Sequence, residues 1–369
     1  MPGKRLRHGF TTGSAAAAGA KAGVLFLGGG ARPREVEIPL PERGRLRVPI
    51  AGISGRGTGG CTVTVVKDAG DDPDVTHGAE IRAVVRLCPG AGNKEVTIRG
   101  GKGVGKVTRP GLPVPVGEWA INPAPLRQIR AAVLEGLEET GIRSGVSVTI
   151  EVPEGERIAQ RTLNPRLGIV GGISILGTRG TVKPFSHEAY RVTVQVAMDV
   201  ARAAGLATIA LSTGGKSERY LRKQRPDLPE EAFIQVADYF AFSLREAASR
   251  GFGEILYACF FGKLVKVAQG HAHTHAGRSK IDFGLLSSWA LLAGVERERA
   301  GRIAGANTAR EALKWILGDE RGGRCLEEIA ERALASARGY GGRAPGITLY
   351  LFDFEGGLLA RKRDGGSRS

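Results

Sequence analysis

The apolar residues of the chain are most concentrated over residues 167–180, which read LGIVGGISILGTRG. This run is too short to span a membrane and predicts a strand that is buried on both faces. A glycine turn at 177–180 follows, and the stretch over 186–204 has the amphipathic pattern of a helix. Because ligands bind at the carboxyl ends of parallel strands, this order predicts a small-molecule site at residues 177–184. The alternative is a glycine turn that only reverses the chain.

Short apolar runs continue to alternate with amphipathic stretches through the second half of the chain. The pattern predicts strands at 207–211, 233–236, 254–260 and 347–354, and helices at 238–250, 280–293, 296–304, 308–317 and 324–337. Such alternation is typical of a doubly wound, mostly parallel, Rossmann-like sheet. The strand at 207–211 ends in a second glycine turn, where Thr213, Gly214 and Gly215 can offer a hydroxyl and backbone amides to a carboxylate.

The first half of the chain contains more strands and fewer helices. An alanine-rich helix is predicted at 12–28, with Thr11 or Thr12 as its cap. A second helix is predicted at 123–140, and strands are predicted at 35–38, 46–50, 61–67, 80–87, 96–99 and 146–152. This mixture predicts an α+β fold for the first half, in contrast to the α/β fold of the second.

These patterns predict two domains, as the length of 369 residues also favours. We expect a mixed α+β domain over 1–155 and a Rossmann-like α/β domain over 165–355. The basic segment 356–369 is expected to be a disordered tail. The amino terminus resembles a signal peptide only superficially, because polar residues interrupt its apolar run, and we expect a cytoplasmic protein.

The net charge of +16 indicates an acidic partner. The sequence contains no helix-turn-helix, zinc-finger or RNP motif, so an anionic metabolite explains the charge better than a nucleic acid. No apolar run reaches about 18 residues, so no membrane partner is expected. The four cysteines are widely spaced, which is typical of reduced thiols and excludes a zinc ribbon.

Two polar segments carry candidate chemistry. In residues 68–78, four aspartates and His77 could bind a divalent cation, provide general acid or base catalysis, or form a solvated loop with Asx turns. Residues 271–275 read HAHTH. On a strand its three histidines would share one face and could bind zinc, whereas a loop could contact ligand through Thr274 and His275 or lie in solvent.

Several blocks of the sequence resemble the CbiD family of anaerobic cobalamin biosynthesis. They are HGFTTGSAAAAGAKA, KDAGDDPDVTHGAEI, GVGKVTRPGLPVPVGEWAINP, NPRLGIVGGISILGTRGTVKPFS and THAGRSK, and they occur between residue 5 and about residue 355 in the order found in the family. The resemblance implies an enzyme that methylates carbon 1 of cobalt-precorrin-5B to give cobalt-precorrin-6A, with S-adenosyl-L-methionine as methyl donor. The cobalt belongs to the substrate, so no metal held by the protein is expected.

The predicted site combines the two glycine turns in one crevice with the polar segments around it. Cofactor binding is predicted for Gly177, Thr178, Gly180, Thr213, Gly214 and Gly215, catalysis for His77, Asp71 and His275, and binding of the anionic corrinoid for Thr11, Thr12, Asp74 and Thr274. Three alternatives are a non-catalytic carrier of an acidic tetrapyrrole, a nucleic-acid-binding protein and a metal-dependent hydrolase built on residues 271–275. A homo-oligomer and transient contacts with neighbouring pathway enzymes both stay open.

Overall fold

A computed structural model of the chain describes residues 6–30, 32–55, 59–89, 95–342 and 345–364. The chain forms two compact units, Met1–His187 and Glu188–Ser369. Each unit combines helices with sheets, and strands pair both parallel and antiparallel. The mixed α and β class predicted from the sequence is therefore confirmed. The boundary differs from the prediction, because residues 165–187, assigned to the second domain by their apolar pattern, lie in the first unit.

The first unit is built on a five-stranded sheet with the order β4-β5-β6-β10-β7. Strands β10 and β7 pair in parallel, and the other neighbours pair antiparallel. Smaller pairs are formed by β1 with β13, β2 with β3, β8 with β12 and β9 with β11. The strands are β1 Gly9–Phe10, β2 Glu35–Pro39, β3 Arg45–Pro49, β4 Gly52–Gly55, β5 Cys61–Val66, β6 Glu80–Cys88, β7 Val96–Gly100, β8 Gly103–Val104, β9 Lys106–Val107, β10 Gly145–Glu151, β11 Ile169–Val170, β12 Gly172–Ile173 and β13 Thr181–Val182.

Helices α1 (Thr12–Gly29) and α2 (Pro123–Thr140) cover one face of this sheet, and the short helix α3 (Gly155–Ala159) follows β10. The alternating buried residues of β5, β6 and β10 share one apolar core with residues of α1 and α2, as expected of a sheet with one covered face. Helix α1 is buried along nearly its whole length, because alanine and glycine allow close approach on several sides. A Cβ atom added at Gly23 would lie 2.5 Å from Val85.

The long buried strand predicted at 167–176 is wrong. The segment forms two separate two-residue strands, β11 and β12, which pair with β9 and β8 of the first unit. Gly168, Gly171 and Gly177 have positive φ angles of 73°, 84° and 127°, a conformation that ends a strand. The segment therefore does not open a βαβ unit.

The second unit contains a five-stranded sheet with the order β15-β14-β16-β17-β18. Strands β14 to β17 are parallel, and β18 pairs antiparallel with β17 at the edge. The strands are β14 Thr208–Ser212, β15 Phe233–Gln235, β16 Glu254–Phe260, β17 Gly346–Phe352 and β18 Leu358–Arg363. The disordered tail predicted at 356–369 is wrong for residues 358–363, which form a strand, while residues 365–369 lie outside the described residues.

The helices of the second unit are α4 His187–Ala203, α5 Gly215–Gln224, α6 Phe240–Ser249, α7 Phe261–Ala268, α8 Phe283–Leu292, α9 Arg297–Ala304, α10 Ala309–Leu317 and α11 Gly322–Gly341. Apolar cores lie on both faces of the sheet. Ile255, Tyr257 and Cys259 of β16 contribute to the larger core, whereas Leu256 and Ala258 contribute to the smaller one, with Leu221 of α5. Burial on both faces explains why these strands read as continuous apolar runs.

Candidate functional site

Four parallel strands bring their carboxyl ends to one edge of the C-terminal sheet. The residues that follow β14, β15, β16 and β17 include Thr213, Asp238, Phe261 and Phe354. The chain runs from β14 to the outer strand β15 and then returns across β14 to β16. Ligands bind at such a reversal of strand order, because the loops on either side leave a crevice between them.

A pocket of about 510 Å³ lies at this edge, which we call the edge pocket. Its volume falls within the usual range of small-molecule sites, about 300–1,000 Å³. The wall is mainly apolar and carries a few charged groups, as in most ligand sites. Its aromatic residues are Phe260, Phe261 and Phe354, and its charged residues are Asp238, Lys263, Lys266 and Arg310.

The polar side of the edge pocket is organised around Asp238. Its Oδ1 atom lies 3.1 Å from the ammonium nitrogen of Lys263 and accepts a hydrogen bond of 2.9 Å from the Thr274 hydroxyl. Burial raises the pKa of Asp238, but the charge of Lys263 and these hydrogen bonds outweigh that effect and hold the pKa below its ordinary value. Asp238 is therefore an ionised acceptor at neutral pH.

Two further cations lie in the wall of the edge pocket. Lys266 donates a hydrogen bond of 2.8 Å to the Thr274 carbonyl, and burial lowers its pKa more than the charge of Asp238 raises it. The guanidinium carbon of Arg310 lies 5.1 Å from the centre of the Phe354 ring. That ring stacks on Phe260 with 4.7 Å between centres, so the pocket offers an aromatic surface next to positive charge.

Of the segment 271–275, the residues at the edge pocket are Thr274 and His275. The segment is a loop rather than a strand, so its three imidazoles do not share a face as the zinc hypothesis required. Nδ1 of His275 accepts a hydrogen bond of 3.1 Å from the backbone N–H of Gly277. The neutral ring therefore carries its proton on Nε2 and is a hydrogen-bond donor toward a ligand rather than a base.

The glycine turn after β14 lies at the same sheet edge. The hydroxyl groups of Thr213 and Ser217 lie 3.2 Å apart, and helix α5 begins at Gly215. A Cβ atom added at Gly214 would meet nothing within 4 Å. The turn thus presents a hydroxyl and the amino end of a helix beside open space, an arrangement that suits an anionic group.

The other predicted site residues come together in the first unit. We call residues 7–12, 68–78 and 177–185 the N-terminal cluster. Gly9 and Phe10 pair with Val182 and Thr181, and the N–H of Phe10 donates to the Asp68 carbonyl at 2.8 Å. Residues distant in the sequence are thus joined by backbone hydrogen bonds. The turns at 177–180 and 213–217, predicted to form one crevice, belong to different units and different sheets, and their common crevice stays a prediction.

Thr11 and Thr12, predicted to bind substrate, are used inside the N-terminal cluster. Thr11 caps α1 by accepting a hydrogen bond from the Ser14 N–H at 3.2 Å, and Thr12 accepts one from the Leu176 N–H at 2.9 Å. Both side chains are buried. They therefore orient the turn at 177–180 rather than present hydroxyl groups at the surface.

The two glycines of this turn are required by its packing. A Cβ atom at Gly177 would lie 2.4 Å from the Thr11 side chain, and one at Gly180 would lie 2.7 Å from Leu40. The Gly180 carbonyl accepts hydrogen bonds from the Ser14 hydroxyl and the Thr11 N–H. Thr178, between them, is exposed. Among Gly177, Thr178 and Gly180, which were predicted to bind the cofactor, Thr178 is the residue whose side chain lies in solvent.

The aspartates of residues 68–78 are held by hydrogen bonds and ion pairs. Asp71 accepts a hydrogen bond of 2.7 Å from the Arg7 N–H, and Asp74 pairs at 2.7 Å with Lys67, whose side chain is 2% exposed. Nδ1 of His77 accepts a hydrogen bond of 3.1 Å from the Ala69 N–H, so the neutral form of this imidazole carries its proton on Nε2 and donates there. In the described part of the chain, no group of three or more His, Cys, Asp or Glu residues could hold a metal ion.

Sequence reasoning missed Asp238, Lys263 and Phe185. Asp238 was included in a predicted helix, although it is the first charged residue after a predicted strand, and Lys263 follows the next strand. Phe185 is 65% exposed and has a φ angle of 53°, which is unusual for a bulky residue. Its N–H donates to Asp72 at 2.9 Å. No pattern in the sequence reveals this backbone conformation.

Comparison with known proteins identifies similar sequences along nearly the whole chain. The CbiD family matches residues 1–184, and the CbiD C-terminal domain matches residues 273–363. A cobalt-precorrin-5B C(1)-methyltransferase of Nitratidesulfovibrio vulgaris is 50% identical over 95% of this chain and 91% of its own. The proteins of the same name from Priestia megaterium and Thermus thermophilus are 41% and 44% identical, over 97% and 96% of this chain and 96% and 93% of their own.

Among solved structures, a cobalamin biosynthesis protein (CbiD) from Archaeoglobus fulgidus is 30% identical to this chain. The match covers 71% of this chain and 79% of that chain, with a TM-score of 0.39. None of the described helices of the present structure is long and apolar enough to cross a membrane.

Proposed function

This chain belongs to the CbiD family, and we propose that it is the methyltransferase that acts on carbon 1 of cobalt-precorrin-5B in cobalamin biosynthesis. The observation that carries this proposal is the 50% identity, over 95% of the chain, to a curated enzyme of that name. S-adenosyl-L-methionine supplies an electrophilic methyl group on a sulfonium. The substrate carries many carboxylates, which suits a chain with a net charge of +16.

We propose the edge pocket, together with the turn at 213–215, as the site of the methyl donor. The residues present fit such a group. The pocket volume suits one nucleoside-sized ligand, Phe260 and Phe354 offer an aromatic surface, and the turn leaves open space above Gly214. We further propose that the C-terminal sheet acts as Rossmann-like sheets do, with its ligand at the reversal of strand order.

The N-terminal cluster is our proposal for the surface that contacts the corrinoid. Its backbone is held by hydrogen bonds among three segments, while the side chains of Thr178, Arg179 and Phe185 are exposed on it. A rigid backbone that presents polar, cationic and aromatic side chains suits a large anionic macrocycle with apolar faces. The strained φ angle of Phe185 supports this assignment, because such strain is concentrated at functional sites.

Methyl transfer from a sulfonium needs the carbon nucleophile, the methyl group and the sulfur in line, so an enzyme of this activity gains most from orienting its reactants and excluding water. Well-oriented reactants in enzymes can gain about 7–11 kcal/mol from proximity alone. His77 and His275 both carry the neutral-state proton on Nε2, so we assign them donor roles toward oxygen atoms of the ligands. Neither ring is positioned as a general base without first losing a backbone hydrogen bond.

The test is an incubation of the purified protein with S-adenosylmethionine and cobalt-precorrin-5B under anaerobic conditions. Mass spectrometry should show a corrinoid that has gained one methyl group, together with S-adenosylhomocysteine in equal amount. Tight binding of the corrinoid without methyl transfer, in the presence of the donor, would contradict the proposal and indicate a carrier.

A further inference from the structure

We propose that the Asp238 carboxylate receives the ribose hydroxyl groups of the adenosyl ligand in the edge pocket. This inference rests on the proposed function, since it takes that pocket as the site of the methyl donor. It assigns a ligand group to a residue for which the sequence predicted only a place in a helix. The strand order, the backbone at Ala237 and the contacts of the carboxylate support this assignment.

The position of Asp238 in the sheet is the first support. The chain forms β14, a glycine turn, helix α5 and then β15, which pairs in parallel with β14. Asp238 comes three residues after the end of β15 and 24 residues after Gly214. In dinucleotide-binding sheets, an acidic residue about 20 residues beyond the glycine turn binds a ribose hydroxyl group. The same order of elements places Asp238 where a ribose would lie if the turn holds the other end of the ligand.

The backbone before Asp238 is the second support. Ala237 has a φ angle of 48°, a conformation that alanine rarely adopts. Lys263 donates to the Ala237 carbonyl at 3.1 Å, and the Asp238 carbonyl accepts from the Thr274 N–H at 3.0 Å. Strain of this kind persists where the surroundings hold it in place. Here it directs the chain so that the Asp238 side chain reaches the pocket wall.

The contacts of the carboxylate distinguish a hydroxyl ligand from a cationic one. Among the described residues, both side-chain contacts of Asp238, from Lys263 and Thr274, use Oδ1. The carboxylate has about four acceptor positions on its two oxygens, so it can accept further hydrogen bonds. Its charge is already balanced by Lys263, and Lys266 and Arg310 also line the pocket. Neutral hydroxyl donors are therefore favoured over the ammonium or sulfonium group of the ligand.

The experiment compares ligands that differ only in the ribose. Calorimetric titration measures the affinities of S-adenosylhomocysteine, adenosine and 2′,3′-dideoxyadenosine for the wild-type protein and for Asp238→Ala. A hydrogen bond to a charged group contributes about 1.5–3 kcal/mol, so wild type should bind adenosine about 10- to 100-fold more tightly than the dideoxy compound. Asp238→Ala should lower adenosine affinity to that of the dideoxy compound, whose own affinity should stay within about threefold of wild type.

Lys263→Met is the matched control. It breaks the same ion pair from the other side but keeps the carboxylate, so it should retain the preference for adenosine. Thermal unfolding of both variants shows whether each is folded. The inference is overturned if Asp238→Ala keeps the preference, or if Lys263→Met loses it equally, which would make Asp238 only a positioning residue. A wild-type protein that binds no adenosyl compound would instead refute the proposed donor site itself.

Discussion

Comparing Gly70→Ala with Gly78→Ala should separate the energetic cost of a left-handed backbone from the cost of losing the contact between residues 70–71 and Arg7. Gly70 lies in the N-terminal cluster with a φ angle of 66°, and an added Cβ atom would lie 2.1 Å from the Arg7 carbonyl oxygen. Gly78, in the same loop, has a φ angle of 76°, but an added Cβ atom would meet nothing within 4 Å. Gly78→Ala is therefore a matched control that has the backbone penalty without the collision.

The expected magnitudes follow from these two differences. An alanine in the left-handed region costs about 1–2 kcal/mol, and both variants should lose this amount of unfolding free energy. In Gly70→Ala the collision must also separate residues 70 and 71 from Arg7. This breaks the hydrogen bonds from the Asp71 N–H to the Arg7 carbonyl and from the Arg7 N–H to the Asp71 carboxylate. At about 1 kcal/mol each, the additional loss is about 2 kcal/mol.

The assay is urea-induced unfolding of both variants, combined with amide hydrogen exchange over residues 6–11 and 68–78. Gly70→Ala should be less stable than Gly78→Ala by about 2 kcal/mol and should lose exchange protection at Phe10 and Asp71. Equal destabilisation of the two variants, or unchanged protection at these amides, would refute the described contact between the N-terminal strand and the loop.

Three further predictions concern single residues. Burial raises the pKa of Asp74, but the charge and hydrogen bond of Lys67 help to hold this pKa below its ordinary value. The pair therefore stabilises the fold at neutral pH. This stability is lost as the pH falls below about 4 and through the lowered pKa of Asp74. Asp74→Asn should cost about 3 kcal/mol at pH 7 in urea unfolding and abolish that acid-dependent loss, whereas an unchanged acid profile would contradict the pairing. Gly214→Ala should change the free energy of unfolding by less than about 0.5 kcal/mol, because the φ angle of Gly214, 161°, is extended and the space around it is open. The same substitution should weaken S-adenosylhomocysteine binding about tenfold in calorimetry. Unchanged binding would exclude the turn from the site. His275→Gln keeps a donor and should retain kcat/KM within about tenfold, while a loss of about 100-fold or more would indicate a general base.

The sequence correctly predicted the helices and strands whose first and last residues carry a local signal. Helix α2 was predicted at its observed bounds, because Pro123 at its start and Gly141 after its end are local signals, and Gly141 has the left-handed conformation expected there. Strands β5 and β6 were predicted within a residue, because a sheet with one covered face produces strict alternation. The four parallel strands of the second unit, β14 to β17, were predicted from their apolar character, whereas the antiparallel edge strand β18 was not predicted.

The segment 167–180 could not be predicted, because its partners are not adjacent in the sequence. Gly103 and Val104 pair with β12, and Val107 pairs with Ile169 of β11. An apolar run has the same pattern whether it forms one buried strand or two short ones. Likewise, the sequence predicted that Thr274 and His275 contact a ligand, and both line the edge pocket. Asp238 and Lys263 reach the same pocket from other strands, which only the sheet order reveals.

The pairing of the N-terminal strand has a consequence for synthesis on the ribosome. Gly9 and Phe10 pair with residues 181 and 182, about 170 residues later in the chain. At about 5–20 residues per second, roughly 10–30 s pass between synthesis of the two segments. Helix α1 follows the strand directly, and its first turn, where the Ser14 hydroxyl donates to the Gly180 carbonyl, lacks that partner until the interval ends. Translation rate and chaperone access over the first half of the chain should therefore affect the yield of folded protein.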